Sequence, residues 1–181
     1  MNIDEAIQQR RSRPCLTDEP VSVPLIEHLI HLATYAPQHK KTNPWRFAVF
    51  DAAGKAILAK AWAAGTDKTI DFTQEKVDRA PVIIAVWCAA GRSGKTLPVW
   101  EEEAAVAAAI QNMLLAATAA GLAGFWRSGS VGNVPEVQGL LAGFDATQGD
   151  RVMGFLHLGW PDAAKPVPER DIEPPQVQWY Q

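Results

Sequence analysis

The sequence contains little cysteine, and its two cysteines do not have the spacing of metal ligands. Cys15 and Cys88 are the only sulfhydryl groups in a chain of 181 residues. Two distant cysteines cannot build the disulfide framework of a small secreted protein, and zinc sites normally use cysteines or histidines in closely spaced pairs. We therefore expect two free thiols, both at least partly buried.

The chain also lacks a long apolar run and an excess of charge of either sign. Its longest apolar stretch, residues 104–120, is mostly alanine and is interrupted by Gln111 and Asn112, whereas a membrane-spanning helix needs about 20 apolar residues. The net charge is −3 with no extended basic stripe, so neither nucleic acid nor an anionic membrane is an expected partner. Asp4 and Glu5 stand where a signal peptide would be apolar, which predicts a cytoplasmic protein.

Length and composition favour one globular domain with an arm. Hydrophobic residues make up 48% of the chain and charged residues 20%, which is typical of a soluble protein with a sizeable core. We predict a single domain over residues 1–160 and a proline-rich arm over residues 161–181. The arm includes Trp179 and Tyr180, and large aromatics are stabilised when covered. This arm either packs on its own domain or wraps around a partner subunit, and the sequence leaves both alternatives open.

Apolar periodicity and proline positions predict five helices and four strands. The predicted helices cover residues 3–11, 24–36, 52–63, 101–120 and 135–141, and the predicted strands cover residues 45–50, 82–87, 124–128 and 152–158. The strand at residues 82–87 is apolar without alternation, which indicates burial on both faces. This order predicts an α+β fold in which helices cover a small mixed sheet.

The longest predicted helix, residues 101–120, is small and apolar on nearly every side. A helix of this kind must be covered all round, and in a domain this small we expect a partner subunit to supply the second cover. Glu101, Glu102 and Glu103 occupy its first turn, where they complement the positive end of the helix dipole. We prefer this role to a metal site, because no histidine stands at helical spacing from them.

Three arginines in four positions, Arg10, Arg11 and Arg13, surround Ser12 just before Pro14. Their predicted position in the last turn of a helix explains one arginine, because cations interact favourably with the final carbonyls. Guanidinium groups also present planar forks of donors that match phosphate oxygens, and a serine hydroxyl adds a further hydrogen bond. The segment therefore predicts a site for one small phosphate-bearing ligand.

Read together, the motifs of this chain resemble the FMN-dependent nitroreductase family, and within it the short NAD(P)H nitroreductase branch. The resemblance rests on Arg-Arg-Ser-Arg-Pro at residues 10–14, Ala-Pro at residues 36–37, Asn-Pro-Trp-Arg-Phe at residues 43–47, and the glycine-containing segment 121–128. Their order and spacing match over nearly the whole chain. No single motif is specific by itself.

This resemblance implies an obligate α+β homodimer with a mainly antiparallel sheet, two FMN sites at the subunit interface that are each built from both chains, and NAD(P)H as electron donor. The flavin itself would carry the hydride, so no catalytic side chain is expected. The implied cofactor-binding residues are Arg10, Arg11, Ser12, Tyr35, His39, Trp126, Arg127 and Ser128.

The implied roles differ along the chain. Arg10, Arg11 and Ser12 would hold the phosphate and ribityl side. Tyr35 and His39 would reach the flavin of the other subunit, although Tyr35 stands where this branch is expected to have a basic residue. Residues 126–128 would meet the ring or phosphate end, and the Arg127 guanidinium would stabilise charge on the reduced flavin. Near the C-terminus the paired basic motif of larger members is reduced to Lys165, with Arg170 further on.

A competing motif, Ala-Ala-Gly-Arg-Ser-Gly-Lys-Thr at residues 89–96, resembles a nucleotide-binding P-loop. Gly91 is two residues out of register, and Pro98 interrupts the helix that should follow. An exposed Gly/Lys loop is the better interpretation. The Gly-x-Gly-x-x-Gly fingerprint of nicotinamide-binding folds is also absent.

These observations predict an oxidoreductase that passes electrons from NAD(P)H, through FMN, to a nitroaromatic, quinone-like or other electron-poor small molecule. A flavin-binding carrier or sensor without turnover is the alternative, and a P-loop NTPase is a weaker one. The sequence leaves open the natural acceptor and the choice between NADH and NADPH.

Overall fold

The computed structural model describes residues 1–180, which form six α-helices and four strands joined by loops and short 3₁₀ turns. The helices are α1 (Ile3–Gln9), α2 (Val23–Ala33), α3 (Ala52–Ala64), α4 (Ile70–Val77), α5 (Val99–Ala119) and α6 (Pro135–Gln138). The strands are β1 (Trp45–Phe50), β2 (Val82–Cys88), β3 (Ala123–Arg127) and β4 (Arg151–Gly159). None of the helices described is both long and apolar enough to cross a membrane.

The four strands form one sheet in the order β1-β2-β4-β3, and all three neighbouring pairs are antiparallel. Within residues 1–180, the parallel contribution is an isolated bridge between Ser12 and Gly124. The predicted α+β class and mainly antiparallel sheet are therefore confirmed. Strand β2 lies inside the sheet and is buried along its full length, as its unbroken apolar sequence predicts.

The core lies on both faces of this sheet, because alternate residues of each strand point to opposite sides. On one face Ile84 and Val86 pack with α2 and α5, and Ile110 of α5 is fully buried there. On the other face Ile83 packs with α3 and α6, around Leu58. The long helix α5 thus has one side against the sheet, while its opposite side is only partly covered in the single chain, with Ala104 exposed and Ala108 half-buried.

Helix α4 is an element that the sequence analysis does not predict. Its buried residues are Thr73 and Val77 alone, which is too short an apolar stripe to be recognised as periodic. The helix begins where the Thr69 hydroxyl accepts a hydrogen bond from the Phe72 amide. It is held to α3 because the Thr73 hydroxyl donates to the Ala59 carbonyl at 2.9 Å.

The C-terminal arm, from residue 161, forms neither helix nor strand in the residues described. Trp179 is 78% exposed and Tyr180 is 92% exposed, so these aromatics do not pack on their own domain. The domain boundary at residue 160 stays a prediction.

Cys15 is exposed, contrary to expectation, whereas Cys88 is buried. Burial, and next the neighbouring Glu102, raise the pKa of the Cys88 thiol to about 12.

A histidine is buried in the sheet face that packs against α3. His157 of β4 is 3% exposed and stacks on Phe125 of β3, with ring centroids 4.5 Å apart. Its Nδ1 atom has no hydrogen-bond partner among the described residues. Burial, and next the nearby Arg127 guanidinium, lower the pKa of His157 to about 3. The folded protein therefore holds this imidazole neutral.

His157 makes folding stability depend on pH. The unfolded chain binds a proton at His157 below about pH 6.5, whereas the folded chain does so only near pH 3, so stability falls as pH decreases across that window. We expect His157→Phe, which keeps a ring against Phe125, to remove a loss of roughly 2 kcal/mol between pH 6.5 and 5. Urea unfolding at several pH values measures this. His28→Phe, at an exposed position, should keep the wild-type slope; equal slopes in all three proteins would contradict the assignment.

Candidate functional site

The arginine-rich segment lies just after α1 rather than in its last turn. Helix α1 ends at Gln9, and Arg10 already has extended geometry with φ −56° and ψ 125°. The cause is tertiary pairing: Ser12 forms a parallel bridge with Gly124 of β3, and the Arg13 amide donates to the Gly124 carbonyl at 3.1 Å. The prediction that Arg10 and Arg11 belong to the last helical turn is therefore wrong.

Arg10 presents a guanidinium that forms no hydrogen bond or ion pair with another group in residues 1–180. Arg170, from the arm, lies beside it and donates from Nη2 to the Arg10 carbonyl at 2.5 Å and from Nη1 to the Ile7 carbonyl at 3.4 Å. Partial burial, then Arg170, then Arg11, lower the pKa of Arg10. Positive groups thus crowd together without a carboxylate to offset them, which is the electrostatic signature of an anion site.

Arg11 and Arg13 use their donors differently from Arg10. Arg11 donates from Nη1 to the Gln8 carbonyl at 2.5 Å and from Nε to the Pro168 carbonyl at 3.1 Å. Arg13 donates from Nη2 to the Asp162 carbonyl at 3.1 Å. Both side chains therefore fasten the first part of the arm to the segment after α1. The sequence predicts Arg11 as a phosphate residue and leaves open whether Arg170 touches the cofactor, because nothing local indicates that residues 10–13 and 162–170 meet.

At the other end of β3, Trp126 and Arg127 point to opposite faces of the sheet. Trp126 is paired with Leu156 and donates from its indole N–H to the Met153 carbonyl at 2.8 Å, with 38% of the residue exposed. The Arg127 guanidinium lies 5.0 Å from the centroid of the Trp62 ring. Burial, and next Arg79, lower its pKa. The two side chains therefore cannot cover the same face of one ligand, and Arg127 is directed towards α3. Ser128 follows β3 and is exposed.

The Trp126 indole packs against Gly154, which lies at a β-bulge. Pairing between β2 and β4 shifts register after Val86, which is opposite Gly154, and Gly154 has a φ of 146°. A Cβ atom at Gly154 would lie 2.3 Å from the indole nitrogen of Trp126. Only glycine combines this backbone conformation with this close approach.

The loop that carries His39 has a strained backbone. Lys40, Lys41 and Asn43 have φ values of 53°, 54° and 48°, a region that non-glycine residues seldom adopt. The Gln38 side chain clasps Asn43, donating from Nε2 to Oδ1 at 2.8 Å and accepting from the Asn43 amide at 2.5 Å. His39 contacts Glu101 of α5, with Nδ1 and Oε2 2.5 Å apart.

Tyr35 and His39 line two different grooves along α5. Tyr35 is 69% exposed and lines a groove of about 370 Å³ that also includes Leu115. His39 lines a groove of about 310 Å³ that also includes Trp100 and Ala104. Neither groove includes Arg10, Ser12 or Trp126. The single chain therefore does not bring the predicted site residues together. No cluster of metal-ligating side chains was found in residues 1–180.

Comparison with known proteins identifies relatives along nearly the full chain. Residues 7–160 match the model of the nitroreductase family. The Escherichia coli K12 protein named "Putative NAD(P)H nitroreductase YdjA" is 34% identical over 167 residues, covering 89% of each chain. A nitroreductase-like family protein from Bacillus cereus is 28% identical, with a TM-score of 0.82 and coverage of 97% of this chain and 92% of that one. A nitroreductase structure from Desulfovibrio desulfuricans in complex with FMN is 27% identical, with a TM-score of 0.74 and coverage of 98% and 99%.

The close contact between Gly154 and the Trp126 indole gives a prediction about stability. Gly154→Ala forces a Cβ atom into the indole and a side chain into a disfavoured φ, and we expect it to reduce stability by roughly 1–3 kcal/mol. Adding Trp126→Ala removes the clash with the indole but not the approach of 2.8 Å to the Arg127 carbonyl oxygen. The double variant should therefore lose less than the sum of the two single losses. Thermal unfolding measures all three. Gly129→Ala is the control, because it has no atom within 4 Å of its added Cβ; strict additivity would contradict this account of Gly154.

Proposed function

Because the chain belongs to the nitroreductase family, we propose that it is an FMN-dependent oxidoreductase that takes electrons from NAD(P)H. The residues present fit a bound flavin mononucleotide, and one observation carries this conclusion. The guanidinium groups of Arg10 and Arg170 lie together without a carboxylate partner in the described chain, next to the Ser12 segment. A phosphate monoester supplies the negative charge that both groups lack and acceptor oxygens for the Arg10 guanidinium, whereas Arg170 already donates to the Arg10 and Ile7 carbonyls.

The chain's own residues bind and orient the cofactor. Arg10, Ser12 and Arg170 would hold the phosphate, while Arg11 keeps the arm, and with it Arg170, in place. The Trp126 indole, fixed by its hydrogen bond to Met153, would give one side of the flavin a rigid apolar surface. Residues 127 and 128 would contribute through the main chain and the Ser128 hydroxyl, since the Arg127 guanidinium packs on Trp62.

When bound, FMN supplies hydride acceptance from NAD(P)H and electron transfer to the second substrate. The protein's part is to hold this chemistry in a site shielded from water and open to small planar molecules. No nucleophile or metal is needed for that role. The acceptor class we propose is an electron-poor small molecule such as a nitroaromatic or a quinone, with NAD(P)H leaving before the acceptor enters the same pocket.

A second copy of the chain would complete each site. The two grooves lie along one side of α5 and are lined by residues at helical spacing, namely Trp100, Ala104, Ala108, Asn112 and Leu115. These residues form a single stripe roughly 25 Å long. Trp100 is 66% exposed. A largely apolar stripe of this length is the usual mark of an interface. We propose that the stripe packs against its symmetric copy, that Tyr35 and His39 thereby reach the partner's flavin, and that the arm covers part of the partner.

The phosphate site gives the first test of this function. Arg10→Ala removes an unpaired guanidinium, and we expect FMN affinity to fall by roughly one to two decades, because a hydrogen bond to a charged group contributes about 1.5–3 kcal/mol. Quenching of flavin fluorescence during titration measures the dissociation constant. Arg79→Ala is a matched control, since Arg79 is exposed and paired with Glu75 at 3.0 Å, and it should bind like the wild type.

Spectroscopy of the wild-type protein distinguishes the enzyme from a flavin carrier or sensor and from a P-loop NTPase. Flavin absorbance that bleaches anaerobically with NAD(P)H and returns when an electron-poor acceptor is added supports the enzyme. Bleaching without acceptor-dependent return would favour a flavin carrier or sensor. A protein that takes up no FMN, but binds ATP or GTP in a manner abolished by Lys95→Ala, would contradict the proposal in favour of the P-loop alternative.

The helical stripe gives a test of the dimer. Ala104 is exposed in the single chain, so Ala104→Arg is compatible with a folded monomer and with helix propensity, but it would place charged groups face to face in a symmetric interface. We expect this variant to be monomeric by sedimentation and to lose most of its FMN. Ala64→Arg, at an exposed position at the end of α3, should leave the mass unchanged. A monomeric wild type that binds FMN tightly would refute the shared site.

A further inference from the structure

The contact between His39 and Glu101 has no obvious structural purpose. Nδ1 of His39 lies 2.5 Å from Oε2 of Glu101, yet the His39 side chain is 56% exposed and that of Glu101 is 23% exposed. Ion pairs this close to solvent contribute little to folding. We infer that Glu101 is a positioning residue, which fixes the ring of His39 so that Nε2 is presented to the flavin of the partner subunit. This inference rests on the proposed function.

The carboxylate determines which ring nitrogen carries hydrogen. An ionised carboxylate only accepts hydrogen bonds, so Nδ1 of His39 must be the donor in this contact. The ring atom left for a ligand is then Nε2. A neutral imidazole in water favours hydrogen on Nε2 instead, and a hydrogen bond at one nitrogen is what selects the other arrangement. Glu101 therefore sets both the orientation and the hydrogen-bonding character of His39.

Each of the three glutamates at the start of α5 has its own partner. Glu101 accepts from His39, Glu102 accepts from the Gly91 amide at 2.8 Å, and Glu103 accepts from Arg151 at 3.1 Å. Because α5 begins at Val99, only Glu101 and Glu102 lie in its first turn, where the dipole favours carboxylates. The dipole acts on both and so does not explain why Glu101 faces the histidine. The dipole does keep the Glu101 carboxylate stable in the first turn, where it is required as an acceptor.

The loop around His39 is held against α5 from several directions. Lys95 donates from Nζ to the Lys40 carbonyl, and Lys40 donates from Nζ to the Thr96 carbonyl at 3.4 Å. Together with the clasp between Gln38 and Asn43, these bonds maintain the positive φ values described above. Strained backbone persists only where its surroundings over-determine it, and it concentrates at ligand sites. The strain in this loop serves to present the residue that Glu101 orients.

The tautomer of His39 can be observed directly, independently of activity. The chain has four histidines, so a long-range ¹⁵N–¹H correlation spectrum of histidine-labelled holoprotein is simple, and His39→Ala assigns the signal. We expect the wild type to show hydrogen on Nδ1 of His39. Glu101→Gln, whose amide both donates and accepts, should shift the signal towards the Nε2–H form. Glu103→Gln makes the same charge change in the same turn and should leave the His39 signal as in the wild type.

FMN affinity supplies the second measurement. His39→Ala should weaken FMN by roughly tenfold, and Glu101→Gln by roughly three- to tenfold, as expected for one oriented hydrogen bond. In the double variant Glu101→Gln adds nothing to His39→Ala, because it acts through that ring. Glu103→Gln should bind like the wild type.

The outcomes separate this inference from the function on which it rests. An unchanged His39 signal in Glu101→Gln, or equal FMN affinity of both glutamine variants and the wild type, overturns the assignment of Glu101 while leaving the flavoenzyme intact. A wild-type protein that takes up no FMN contradicts the proposed function and, with it, this inference. A tautomer shift with a matching, non-additive loss of affinity supports the assignment.

Discussion

The close approach of backbone at Gly124 organises the rest of the site. Its carbonyl accepts the Arg13 amide, and the strand it belongs to is so tightly paired that a Cβ atom there would lie 2.3 Å from the His157 carbonyl oxygen. Because this strand edge captures residues 12 and 13, the chain must leave helical geometry at Arg10. The side chains of Arg10, Arg11 and Arg13 therefore have different surroundings. Arg10 lies beside Arg170, whereas Arg11 and Arg13 donate to separate carbonyls of the arm.

Electrostatics decides what those environments can do. An exposed arginine normally finds a carboxylate, yet only some cations in this chain do so, as with Arg92 and the buried Asp150 at 2.7 Å. Arg10 and Arg170 are brought together instead, and the cost of placing like charges side by side is offset only when an anion is present. The like charges of Arg10 and Arg170 therefore repel each other, and a bound anion would offset that repulsion. This is preorganisation by charge rather than by shape.

Much of the fold follows from local sequence, whereas the partnerships in the site do not. Strand β2 and helix α3 were predicted nearly to their ends, because apolar pattern and flanking proline or glycine are local signals. Helix α4 was missed, since its stability comes from Thr73 bonding to α3 rather than from its own pattern. The spacing of Arg10, Arg11 and Arg13 indicates a phosphate site. Which of the three guanidinium groups stays free depends on the distant arm, whose carbonyls accept from Arg11 and Arg13 but not from Arg10. The pairing of His39 with Glu101 likewise joins residues far apart in sequence, so helix-dipole reasoning accounted for the glutamate incompletely.

The hydrogen bonds between residues 7–13 and residues 162–170 join the two ends of the polypeptide. A terminal segment usually frays independently, since few contacts hold it. In this protein residues 162–170 are held by both partners, because Arg11 and Arg13 donate to carbonyls of the arm while Arg170 donates to the Arg10 carbonyl. These hydrogen bonds hold residues 162–170 against the segment that carries Arg10, so the arm and the proposed phosphate site share the same contacts. Loosening of the arm would therefore disturb the proposed phosphate site first.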